Sequence, residues 1–149
     1  MTFESIQQFA YPHAFVQQPP QFFQGLENRC NIQLNLVEKN DHHEQSPEYL
    51  ELTFLKMWAR HKQNRLSPKS ARWLISLRRE ALERQFFMAF VVGVLVCIEA
   101  CNWDTSGVVR DHKHLYAYLP SLAAQMNASD AEKDLVFQML EVIIAQCPS

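Results

Sequence analysis

The chain reads as a mainly α protein. It is expected to be a single-domain bundle of four to six helices with a long central helix, preceded by an irregular N-terminal arm carrying one short strand. Three observations predict this. Helix-start signals recur along residues 46–149. Apolar residues there return every three or four positions, the period of one helix face. Only three glycines occur in 149 residues, too few for the tight hairpins of a sheet protein or for a phosphate-cradling loop.

Residues 1–45 differ from the rest and are assigned as an extended arm rich in aromatics, Gln and Pro. Thr2 suits the cap of a short helix over residues 3–9. Pro12 and the Pro19–Pro20 pair favour extended backbone before them. The stretch NIQLNLVE then sets Ile32, Leu34 and Leu36 against Gln33, Asn35 and Val37. That alternation predicts a strand near 31–38, which needs a partner inside or outside the chain because one strand cannot satisfy its own backbone groups. The loop DHHE at 41–44 places two histidines and two carboxylates together, but a polar loop is the plainer reading.

The helical domain, residues 46–149, opens with Ser46-Pro47-Glu48: an N-cap, a first-turn proline and an acid at the positive end of the helix. Leu50, Phe54, Met57 and Trp58 follow at helical spacing, to about residue 64. Ser67-Pro68 repeats the signal. No Gly or Pro interrupts the chain again until Gly93, so the segment is either one helix from 68 to about 101 or two broken near Arg84–Phe86; one continuous helix, amphipathic first and central afterwards, is preferred. Its second half, FFMAFVVGVLVCI, is apolar all round; at thirteen residues it falls short of the roughly 20 a membrane span needs and reads as a buried core helix. NWDTSG is a turn offering Asp104, Thr105 or Ser106 as the next cap, and Pro120 ends the following helix or begins its successor. Ser129-Asp130-Ala131-Glu132 is a capping box for a final helix over 130–146.

The four cysteines have no CxxC spacing, and no basic-then-apolar leader pattern is present, so reduced thiols in a cytoplasmic protein are expected. Cys97, Glu99, Cys101 and His112 are the residues from which a metal or thiol site near 97–114 would be built, since Cys97 and Cys101 share a helix side. A CxxxC inside an apolar run packs more often than it ligates, however, and His112 and His114 diverge on a helix. Glu99 is either a carboxylate in an interhelical pocket or the mark of a helix emerging into solvent. No nucleophile-elbow, zinc-protease or nucleotide-cradle motif is present; no cofactor and no catalytic residue is assigned, and a non-enzymatic role is preferred.

Charge is the most informative feature. Residues 60–84 hold eight of the 14 Lys and Arg and two of the 16 Asp and Glu, so a locally basic segment sits in a chain of net charge −2. Lys69, Arg72 and Arg79 fall on one helical face and Arg65 extends the row into the preceding turn. These four residues are the expected contact for another protein with an acidic surface, in an adaptor, regulator or inhibitor-type role. A nucleic-acid-binding regulator using the same segment is the alternative, and a solvated face laced by Arg79–Glu83 and Glu80–Arg84 pairs is the plain structural account. Self-association is compatible with either reading.

Overall fold

A computed structural model describes residues 2–11, 13–40, 46–100 and 111–146. Among them are seven α-helices and one 3₁₀ turn: α1 (Phe3–Ala10), the 3₁₀ turn His13–Phe15, α2 (Pro20–Val37), α3 (Pro47–Lys62), α4 (Pro68–Glu83), α5 (Phe87–Ala100), α6 (His112–Gln125) and α7 (Asp130–Gln146). The mainly α reading holds, with one helix more than the four to six expected.

The helix starts are set by the residues that announce them. Thr2 and Ser5 cap α1 reciprocally, Ser5 N–H to Thr2 Oγ1 at 3.1 Å and Thr2 N–H to Ser5 Oγ at 3.0 Å. Ser46 Oγ accepts from Tyr49 N–H and Ser67 Oγ from Ser70 N–H, each at 3.1 Å, with a proline at the first helical position of α3 and α4. Ser129 and Glu132 close the capping box of α7 at 3.0 and 3.1 Å. Each cap satisfies a donor that the first turn leaves without an intrahelical partner.

Two expectations are corrected. Residues 31–38 are not a strand; all but Glu38 belong to α2, and no strand occurs among the described residues. Phe23, Leu26, Glu27, Cys30, Leu34 and Val37 form its buried face at three- and four-residue spacing. The alternation in NIQLNLV arises because Ile32 and Leu36, four apart, lie on the opposite face at 50% and 48% exposure. Pro20 is the first helical residue, fixed at a helical φ, while Pro19 before it is extended (φ −67°, ψ 157°). The arm is therefore largely helical rather than extended, and its aromatics fold back: Phe9 stacks on Phe22 at 4.9 Å, Phe15 lies 5.2 Å from the Trp58 ring, and Arg29 caps the Phe9 face at 3.9 Å.

The second correction is the long central helix. It breaks between α4 and α5 at Gln85, which takes the left-handed conformation (φ 61°). Phe86 N–H then bonds back to the Ala81 carbonyl at 3.0 Å, the six-to-one bond of a Schellman cap. Asn64 and Asn127 end α3 and α6 in the same way, with Arg65 N–H on Arg60 O and Ala128 N–H on Ala123 O. Amide side chains thus stand where glycine is usual. Pro120 neither ends nor begins a helix: α6 runs through it, and its solvent-facing position lets water serve the carbonyl that loses a donor.

α5 is the hub of the fold. Every residue from Phe87 to Cys97 is buried, and the helix packs against α3, α4 and α7. α2 lies along the other side of α3, α1 rests on α2, and α6 pairs with α7. Gly93 of α5 lies against Phe54 of α3. A Cβ there would sit 2.7 Å from Phe54 Cζ and 2.9 Å from Cε2, so only glycine leaves room for the fully buried ring. No helix among the described residues is long and apolar enough to cross a membrane.

Candidate functional site

The basic segment divides in two once folded. Arg65 lies past the end of α3, where its guanidinium pairs with Glu27 of α2. Glu27 is nearly buried and also accepts from Gln63 Nε2 at 3.0 Å. Arg65 therefore neutralises an inward carboxylate, and its charge is committed within the chain.

Lys69, Arg72 and Arg79 behave differently. All three are exposed on α4, on the side opposite the buried Leu74, Leu77 and Ala81. None forms an ion pair or hydrogen bond among the described residues. Of the two expected lacing pairs, Glu80–Arg84 is present at 3.1 Å, whereas Arg79–Glu83 is not among the ion pairs of the described residues. Trp73 stands within this row at 41% exposure, one helical turn from Lys69 and from Ser76. At the start of α4, Arg72 also lines a groove of about 360 Å³ together with His61, Leu66 and Ala71. The outer face of α4 thus presents three cations unpaired among the described residues, with an exposed indole at the border between that face and the buried stripe.

The residues considered for metal or thiol chemistry do not converge. Cys97 is fully buried in α5. Glu99, two residues on, has turned outward; its side chain is 47% exposed and reaches Lys62 Nζ at 3.3 Å. It is the solvent-side residue of an emerging helix. His112 opens α6, where burial lowers its basicity against the opposing pull of Glu99 and Asp111. Asp111 is the N-cap of that helix, its Oδ1 accepting from His114 N–H at 2.8 Å. Cys101, the turn with Asp104 to Ser106, and the DHHE loop lie outside the described residues. Among the described residues no group of three His, Cys, Asp or Glu side chains is placed to hold a metal ion. Cys30 is also fully buried, and burial pushes its thiol up to about 12, away from the thiolate a nucleophile requires.

Comparison of the chain with protein-family models, with curated proteins and with solved structures finds no match. Function therefore has to be argued from these residues alone.

One polar site of the interior is missing from the sequence reading. Glu51 of α3 is 3% exposed, and its Oε2 accepts from Gln7 Nε2 at 2.7 Å and from the Tyr11 hydroxyl at 2.8 Å. Burial raises its carboxyl to about 7, and Glu132 and Glu48 push in the same direction while the two hydrogen bonds oppose it. A signal for it exists in the sequence. Glu51 lies three, four and seven residues before Phe54, Leu55 and Trp58, on the apolar stripe itself, where an unpaired carboxylate is costly. Its donors lie 40 and 44 residues away, beyond the reach of local pattern.

Proposed function

We propose that the protein works by binding another protein, an acidic one, through the outer face of α4. The observation that carries this reading is the combination of Lys69, Arg72 and Arg79, none paired among the described residues, with the exposed Trp73. Tryptophan and arginine are the side chains that most often dominate binding energy at protein interfaces, and uncommitted cations steer an acidic partner into register. Such a face suits an adaptor, regulator or inhibitor. Arg65 is outside the contact, because Glu27 already engages it. A nucleic-acid partner is the second reading, favoured by the same indole, since an aromatic among cations also stacks on bases.

A photo-cross-linker placed at Ser76, on the same face, tests both in native extract with and without nuclease. The captured protein is purified and its affinity measured against the wild type, Trp73→Ala, and the triple reversal Lys69→Glu, Arg72→Glu, Arg79→Glu. The triple reversal is expected to weaken binding by at least about a hundredfold and Trp73→Ala by about tenfold. Unchanged affinity in both variants overturns the reading. Capture that nuclease abolishes, with retention on immobilised nucleic acid that falls steeply with salt, replaces it with the second.

A further inference from the structure

α4 stands on the bundle as a ridge. Only Leu74, Leu77 and Ala81 of its 16 residues are buried, and it packs chiefly against α5. Its exposed arc has an apolar residue at each border. Trp73 is 41% exposed on one side; Leu82 is 43% exposed on the other, with the half-buried Ile75 two turns before it. Trp73 and Leu82 are nine residues apart, which sets them roughly 180° around the helix axis and about 14 Å along it. Between them run Lys69, Arg72, Ser76 and Arg79, all exposed at three- and four-residue spacing, with Glu83 closing the row. Four large apolar side chains are exposed among the described residues, and two of them thus flank the cations left unpaired there.

Given the docking role proposed above, on which this step rests, we infer that α4 is received by a groove of the partner protein, with acidic side chains along its floor and an apolar wall on each side. A flat surface or a single helix laid on α4 meets a stripe roughly 100° wide. It engages the cations with one border and leaves the other apolar border in water. A groove reaches both. One wall covers Trp73, the other covers Ile75 and Leu82, and the carboxylates of the floor meet Lys69, Arg72 and Arg79 away from bulk water, where their attraction is stronger. The order across the helix also argues against the groove of a nucleic-acid duplex. Phosphates stand along the walls there, so a reading helix needs cations at its borders. α4 has apolar side chains at its borders and its cations between them. A second copy of the same face would set cations against cations.

The test places p-benzoylphenylalanine in the full chain at the position of Trp73 or of Leu82, beside the cross-linker at Ser76, in native extract. One and the same protein is expected at all three positions. Mass spectrometry of the linked peptides should put the adducts from 73 and 82 on opposite walls of one cleft and the adduct from 76 on its floor, among Asp and Glu. Against that purified protein, Leu82→Ala should weaken binding about tenfold, as Trp73→Ala does. Both side chains are exposed, so the variants should melt as the wild type does, and the cross-links decide the matter if one does not. Capture through Ser76 with an adduct at one border only, adducts that map to a flat surface, or unchanged affinity of Leu82→Ala overturns the groove and leaves the docking role standing. Capture of nucleic acid or of a second copy of the chain at either border also overturns it. No capture from any of the three positions overturns the docking role and the groove together.

Discussion

Tyr11 donates its hydroxyl proton to Glu51 Oε2 across 2.8 Å, a buried bond that joins the segment following α1 to the third helix. Gln7 reaches the same oxygen, and the Trp58 indole N–H donates to the Ala14 carbonyl nearby in sequence. Residues 2–11 and 13–15 are therefore held to α3 by hydrogen bonds that are buried or partly buried. Tyr11→Phe is expected to cost about 1–2 kcal/mol, since it removes one donor from a carboxylate that water reaches poorly. Urea denaturation measures it, and an unchanged midpoint would contradict the bond's role.

The same carboxylate predicts how stability depends on pH. Below about pH 4.5 Glu51 is protonated in both the folded and unfolded chain, and its stabilising preference for the neutral form is fully present. Between there and about pH 7 the unfolded chain ionises while the folded one holds the proton, so stability falls; above about 7 the loss is complete. The whole change is on the order of 3 kcal/mol. Glu51→Gln removes this slope and should be more stable than the wild type at pH 8 but not at pH 4.5. Equal slopes for the two proteins would refute the assignment.

Arg65 is predicted to matter for stability rather than for docking. Arg65→Met leaves Glu27 with Gln63 as its donor and should cost about 1–2 kcal/mol, the lower range applying because the guanidinium is half exposed and screened. Adding Glu27→Leu should recover most of that loss, because the buried charge goes with its partner. A double-mutant cycle reads the coupling directly.

Gly93→Ala sets two effects against each other. Alanine gains up to about 1 kcal/mol in helix propensity, but its methyl meets the Phe54 ring, and overpacking costs about 1–3 kcal/mol. The ring is fully buried and has nowhere to turn, so net destabilisation is expected. In a Phe54→Leu background the same substitution should become neutral or stabilising. Thermal melts of the four proteins decide it.

Gln85→Gly is the opposite case. A left-handed residue with a side chain costs roughly 1–2 kcal/mol, so glycine there should raise stability by about 1 kcal/mol. A lower melting temperature would show that the Gln85 side chain contributes more than its backbone strain costs.

What could be read from the sequence follows from the range of the forces involved. The starts of α1, α3, α4 and α7 were legible because Thr2, Ser46, Ser67 and Ser129 act on amides three residues away. α2 was misread because its N-terminus carries no side-chain cap and because Ile32 and Leu36 on its outer face imitate a strand. The break after α4 is one of the two readings of that segment, and the continuous helix is preferred over it because Gln85 takes a backbone conformation that a sequence normally announces with glycine. At the site, the basic residues on the outward face of α4 were visible from spacing alone, whereas Trp73 and Leu82, which spacing groups with Leu74, Leu77 and Ala81, are 41% and 43% exposed. The engagement of Arg65 by Glu27 was not, since it joins residues 38 apart. Glu99 resolved to the plainer of its two readings, paired with Lys62 at the helix rim.

α5 raises a different question, that of orientation. From Phe87 to Cys97 the helix is apolar around its whole circumference, so over that stretch transfer free energy does little to fix its rotation about its own axis, and only Glu99 in the last turn has to reach water. Shape has to add to this, and the notch at Gly93 fitting the Phe54 ring is a keyed contact between this helix and α3 that leaves no room for a larger side chain. The rotational setting of the most buried element in the protein thus depends in part on an absent methyl group. Filling the notch would leave hydrophobic burial nearly intact while weakening the preference for one alignment of the core.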